Sequence, residues 1–133
     1  MLQYQIEKRY DRINERTIYI PQPAPGNPVG LDRLAQDISE QCTVSKADCL
    51  AVLEALQDNI ATHIAQGNPV RLGILGSFRP KMTAIPAEDP RDVTADNVKA
   101  IGVQFRATNQ FKARLRKATI AQSPKTARQR KEK

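Results

Sequence analysis

The hydrophobic period of this chain changes once, at Gly67-Asn68-Pro69, and that change restricts the folds open to it. Before it, apolar residues recur at helical spacing. Leu31, Leu34, Ala35, Ile38 and Cys42 fall at i, i+3, i+4, i+7 and i+11, one apolar stripe of a helix of about three turns. Thr43-Val44 interrupts the stripe. Ser45-Lys-Ala-Asp48 then offers a hydroxyl N-cap with an acid in the first turn. The second helix runs to about Gln66, with Gly67 at the position that favours a left-handed backbone and Pro69 just beyond. Cys49, Val52, Leu53, Leu56, Ile60, His63 and Ile64 share one face of it, and alanines spread over the others. Such a helix packs on more than one side, as at the centre of a helical pair or a dimer.

After the change the period is two. Val70-Arg-Leu72 reads as a short strand, Gly73-Ile-Leu-Gly76 as a tight turn, and Ser77 to Met82 as a second strand. Phe78 and Met82 point one way, and Ser77, Arg79 and Lys81 the other. Pro80 has no ladder donor to give, so it fits only where that side of the strand is unpaired. Residues 83–97 form a connection rich in Pro, Asp and Thr. Val98 to Arg106 reads as a third strand, with Ile101, Val103 and Phe105 on its apolar face and Gln104 and Arg106 opposite. Thr108 caps a last helix with Phe111, Leu115 and Ala118 on its buried side and Lys112, Arg116 and Lys117 on or near the other. Ahead of all this, residues 3–10 and 16–20 alternate weakly through Tyr4, Ile6, Ile18 and Ile20, the pattern of a hairpin. Four prolines in 21–28 exclude a helix and separate this leader from the rest.

Charge is local. The net charge is +7, yet residues 1–105 carry 11 Lys/Arg against 13 Asp/Glu and residues 106–133 carry 10 against 1. A basic end on a near-neutral body fits a polyanionic partner, nucleic acid or an acidic membrane surface; it also fits a solvated tail that aids solubility. Aromatics are 5% of the chain and Trp is absent, so the core rests on Leu, Ile, Val and Ala with three phenylalanines as anchors. A chain this short buries only about two-thirds of its unfolded surface, and dimerisation would help it. Cys42 and Cys49 are too few for a disulfide framework and have no Cys/His cluster around them for zinc. Both read as small core residues in a reducing compartment. No apolar run approaches a membrane span or a signal stretch, which implies a cytoplasmic protein with no membrane partner.

Enzymatic function is not expected. The single histidine, His63, lies on an apolar helix face and reads as a packed core residue. The serines lack a base and orienter. Gly73-Ile-Leu-Gly76 is too short for a phosphate-binding P-loop and is not followed by Lys-Ser/Thr. Glu88, Asp89 and Asp92 show no calcium-loop spacing. No catalytic residue, metal site, cofactor or small-molecule substrate is assigned.

The order helix, helix, three strands, helix defines an α+β chain. Within it, Gly73-Ile-Leu-Gly-Ser-Phe78 looks like the G-x-[FL]-G-[ST]-F signature of HU-like proteins. Phe105, followed by a basic residue and a helix carrying Phe111 and Leu115, resembles that family's C-terminal block. The resemblance to the HU/integration-host-factor family of bacterial DNA-binding proteins covers roughly residues 31–120. The leader and Asp92-Val-Thr-Ala-Asp-Asn-Val98 look like the HU-related, histone-like branch found in Bacteroidetes. It implies an intertwined homodimer with a helical base, a three-stranded antiparallel sheet as a DNA-facing saddle, and an N-terminal β-hairpin extension. Leu56, Ile60, Phe78, Phe105 and Phe111 would form the dimer core. The division expected is a 1–30 extension, a 31–120 DNA-binding domain and a 121–133 basic disordered tail.

One departure stands out. The family inserts a long basic arm, with an Arg-x-Gly-Arg-Asn-Pro stretch, into the minor groove. Here residues 83–97 hold four acids and one base, which phosphates would repel. Backbone binding by the body and tail is what the resemblance leaves. Strand parity puts Arg79, Lys81 and Arg106 on the saddle face, and Lys112 and Arg116 extend it along the last helix. The backbone N–H groups of Gly76-Ser77 and of the helix start at Thr108 are candidate phosphate donors. Lys125, Arg128, Arg130, Lys131 and Lys133 in the tail would add salt-sensitive affinity. Each of these charges also reads as an ordinary solvated one. The function this implies is nucleoid-associated, histone-like binding of double-stranded DNA with little sequence preference. Two others stay open: an HU-fold dimeric module that recruits a protein partner through the leader, and RNA binding through the tail.

Overall fold

The computed structural model describes residues 1–124. Along the chain run β1 (Leu2–Asp11), β2 (Arg16–Pro23), α1 (Leu31–Gln41), α2 (Lys46–Ala65), β3 (Val70–Leu72), β4 (Gly76–Ala84), β5 (Val98–Ala107), α3 (Asn109–Leu115) and β6 (Ile120–Gln122). They fall into two compact units. The central unit is Val29–Ala113, and the terminal unit joins Met1–Pro28 to the chain from Arg114 onward.

In the central unit the helices begin and end where local chemistry directs. The Ser45 side-chain oxygen accepts from the Asp48 N–H at 3.2 Å and starts α2. At its other end the Gly67 N–H donates to the Ile64 carbonyl at 2.9 Å and the Asn68 N–H to the His63 carbonyl at 3.0 Å. That crossed pair requires a positive φ at residue 67, and Gly67 supplies +86°. α1 and α2 pack on each other, but α2 has 20 residues against 11. The C-terminal part of α2 therefore outruns its helical partner, and α2 also packs on β3 and β4. For this reason His63, expected in a packed core, is exposed. Cys42 is exposed as well, since α1 has already ended there. Cys49 is buried, and burial together with neighbouring Cys42 pushes its thiol above the usual range.

β3, β4 and β5 form an antiparallel sheet in that order. β4 is central only from Gly76 to Phe78, because β3 is three residues long. Pro80 lies past that stretch and pairs with Val103 of β5 alone, so no neighbour needs its missing donor. Among the described residues, the buried apolar side chains are only Ala35 and Cys49. Phe78 and Phe105 are cross-strand partners with ring centroids 5.0 Å apart, yet Phe105 is 48% exposed. Leu56 is exposed, and Ile60, Phe78 and Phe111 are half-buried. The apolar face of the central unit is thus assembled but not covered by the described residues.

The terminal unit is a second sheet, of order β2-β1-β6. β1 and β2 form the hairpin, and β2 extends through Pro21 and Pro23, whose missing donors an edge strand tolerates. Its turn is organised by Asp11, which accepts from the Ile13 N–H at 3.0 Å and from the Asn14 amide at 2.8 Å. The bond from Asn14 holds the Asp11 carboxyl below its usual range. Glu15 completes the turn at φ +50°. Ile6 stands opposite Pro21, and Glu7 opposite Ile20. Tyr4 and Ile6 therefore lie on one face, and Ile18 and Ile20 on the other. β6 runs parallel to β1, pairing Leu2 with Ile120 and Tyr4 with Gln122. Residues 121 and 122, expected to begin the tail, thus belong to a strand. The same pairing corrects the last helix. The Thr119 carbonyl accepts from the Leu2 N–H at 2.8 Å, so the chain must be extended by residue 119, and α3 stops at Leu115. Arg116 and Ala118, expected on that helix, follow it.

Candidate nucleic-acid interface

Ladder pairing fixes which side chains share the polar face of the central sheet. Ser77 pairs with Arg71 on one side and Arg106 on the other; Arg79 pairs with Gln104, and Lys81 with Gly102. Paired residues lie on the same face, as do residues two apart. Arg71, Arg79, Lys81 and Arg106 thus project together with Ser77, Gln104 and Thr83, and no carboxylate shares the face. All four cations are exposed, and among the described residues none is in an ion pair. Arg71 is an addition to the expected set. It stands in a three-residue strand between Val70 and Leu72, and only the register shows that it flanks Ser77.

Two expected backbone contacts are corrected. Gly76 is buried between Leu72 and Ala107, so its N–H is closed to a phosphate. A Cβ there would collide with the Arg106 carbonyl oxygen and come within 2.8 Å of the Phe105 ring. Glycine at 76 is a packing requirement. Thr108 is engaged internally too. Its N–H donates to the Leu75 carbonyl at 3.2 Å, its hydroxyl donates to the Ile74 carbonyl, and its Oγ1 accepts from the Phe111 N–H at 3.1 Å. Thr108 caps α3 as expected, and in doing so ties the turn before β4 to the helix start. Lys112 is exposed on α3, whereas Arg116 falls in the terminal unit. The cations from Lys125 onward lie outside the described residues.

The segment between β4 and β5 is a closed loop. Ile85 and Asn97 pin its ends: the Ile85 N–H donates to the Asn97 carbonyl at 2.7 Å, and the Asn97 amide returns to the Ile85 carbonyl at 2.9 Å. Between them lie two single-turn 3₁₀ helices, Pro90–Asp92 and Ala95–Asn97. Arg91, the segment's one cation, donates through Nη2 to Asp89 Oδ2 at 2.9 Å. That bond holds the Asp89 carboxyl low and leaves Glu88, Asp92 and Asp96 unbalanced.

Charge divides sharply between the units. Residues 29–113 carry nine Lys/Arg and ten Asp/Glu; residues 1–28 and 114–133 carry twelve and four. The central unit is therefore −1 overall, with four of its nine cations on one sheet face and its acids on the helices and the 88–96 loop. Among the described residues no His/Cys/Asp/Glu cluster could hold a metal, and no helix is long and apolar enough to cross a membrane.

The family model described as an HU domain fused to a wHTH, Ig or glycine-rich motif matches residues 1–122. A protein of Bacteroides vulgatus ATCC 8482, provisionally named a bacterial DNA-binding protein, is similar in fold with a TM-score of 0.67 at 11% identity. The match covers 91% of this chain and 47% of that one, so this chain spans about half its length. Anabaena HU, solved as a cocrystal with DNA, gives a TM-score of 0.53 at 21% identity, over 68% of this chain and 100% of that one. At such identities the likeness is one of fold. No curated protein matches the sequence.

Proposed function

Because the chain belongs to the family in which an HU domain is fused to a wHTH, Ig or glycine-rich motif, we propose that its central unit binds double-stranded DNA as a homodimer, without catalysis and with little sequence preference. The observation that carries this reading is the acid-free sheet face bearing Arg71, Arg79, Lys81 and Arg106. Four exposed cations with no anion to compete attract phosphates, and a flat array aimed at the backbone carries no base code. Anabaena HU, crystallised with DNA, shares the fold.

Dimerisation is supported by the uncovered apolar surface. Val52, Leu56, Met82, Val103 and Phe105 are all at least 40% exposed in the protomer, and no large side chain among the described residues is fully buried. A second copy laid against that surface would supply the missing core. The closed, acidic 85–97 loop has neither the reach nor the charge for a minor-groove wedge, so duplex would be held without a sharp kink. A nucleoid role and a cytoplasmic location belong to the same reading.

The test is anisotropy of a labelled mixed-sequence duplex titrated with full chain at several salt concentrations. Replacing Arg79→Ala and Arg106→Ala removes four phosphate contacts per dimer and lowers the log–log salt slope by about 4. A chain ended after Pro124, which keeps β6, retains most of the affinity. No duplex binding at low salt overturns the proposal and favours the protein-recruiting module.

A further inference from the structure

The terminal sheet presents a second surface of different chemistry. By register, Tyr4, Ile6, Lys8 and Tyr10 of β1 share a face with Tyr19 of β2 and Ile120 of β6. All three tyrosines of the chain are on it. Glu7 and Asp11 project from the opposite face, and no carboxylate lies on this one. Lys8 stands directly across from Tyr19, with Tyr10 two residues further along β1. Tyr10 and Tyr19 are 63% and 66% exposed, and no described residue covers them. The described part of this unit carries seven cations against three acids. Its last described turn of chain is anchored here as well: the Ser123 N–H donates to the Tyr4 carbonyl at 2.8 Å.

We infer that this face binds single-stranded DNA, with unpaired bases stacked on Tyr10 and Tyr19 and phosphates drawn to Lys8. A flat strand pair displaying aromatic rings offers π-faces that any base can meet, and surrounding positive charge follows the backbone. In a duplex those base faces are already stacked on one another, so the rings select unpaired strand. A partner protein's apolar surface would be served by the rings but not by Lys8 among them on a face without carboxylates, and that one-signed charge decides for a polyanion. The inference does not rest on the duplex-binding reading, which concerns a different sheet and different cations.

Full-length protein is titrated against a labelled oligomer of about a dozen thymidines, with tyrosine emission followed in parallel; the chain has no tryptophan to obscure it. Wild type binds and its emission is quenched. Tyr10→Ala with Tyr19→Ala weakens binding at least about tenfold, the scale of losing base–aromatic stacks, while duplex affinity is unchanged. Tyr10→Phe with Tyr19→Phe stays within about twofold of wild type, because stacking needs the ring and not the hydroxyl. Absence of oligothymidine binding at low salt overturns the inference, as does unchanged binding by the alanine variant, which would leave charge alone as the cause. Equal loss of duplex and single-strand affinity in the alanine variant also overturns it, and so does tenfold tighter binding of the matching uridine oligomer. Loss of duplex binding with single-strand binding intact would sink the function proposed above and leave this one standing.

Discussion

The two units of this chain handle aromatic residues and charge in opposite ways. All three phenylalanines are in the central unit and all three tyrosines in the terminal one. The central unit is nearly neutral but gathers four cations on one acid-free sheet face, with its acids on the helices and the 88–96 loop. The terminal unit carries a large positive surplus, and the acids of its hairpin stay off the tyrosine face. Net charge is thus a poor guide to where a polyanion would sit. Strand parity decides it, since one residue of register exchanges the two faces.

Phenylalanine in the central unit should matter most, because the proposed dimer completes its core there. Phe105→Ala is expected to cost about 3 kcal/mol in denaturant unfolding, in a transition whose midpoint rises with protein concentration for wild type and variant alike. Tyr10→Ala, at a comparably exposed ring of the other unit, should cost less than about 0.5 kcal/mol. Similar small losses for both would erase the contrast and argue against the dimer. Gly76→Ala comes next, at about 1–3 kcal/mol, because the added methyl must displace the Phe105 ring or the β5 backbone. Its effect should appear in the helical ellipticity of the central unit. A tyrosine-emission transition that moves with it would show the units to be one cooperative body. Ser45→Ala should cost about 1 kcal/mol through loss of the α2 cap.

The smallest effect is expected at Asp11, where folding lowers the carboxyl pKa through the Asn14 amide. A group depressed in the folded state adds stability above its unfolded pKa and loses it as pH falls through the folded one. Acid titration should therefore loosen the hairpin turn below the ordinary aspartate range, and Asp11→Asn should remove that dependence.

What the sequence made legible was local. Ser45, Gly67 and Thr108 each act on atoms a few residues away, and each holds the position its chemistry requires. The alternation of 77–82 and 98–106 was enough to separate Arg79, Lys81 and Arg106 from Phe78 and Phe105. The rest depended on pairings between distant segments. Ile120-Ala-Gln122 is too short to announce a strand, and its partner Leu2 lies at the other end of the chain. That pairing is also what ends α3 and removes Arg116 from it. Arg71 was missed because three residues cannot show which face is polar until their neighbour is known. Gly76 was legible as a special position, but only the approach of Phe105 and Arg106 shows that its role is packing.

The central claim is that duplex DNA lies on the β3-β4-β5 face. The direct measurement is amide and arginine side-chain chemical-shift mapping of the full chain titrated with a mixed-sequence duplex of about 15 base pairs, a length that spans more than one helical turn. Perturbations concentrated at Arg71, Ser77, Arg79, Lys81 and Arg106 are what the account predicts. Perturbations confined to residues 1–28 and 114–133, with the central sheet silent, would contradict it.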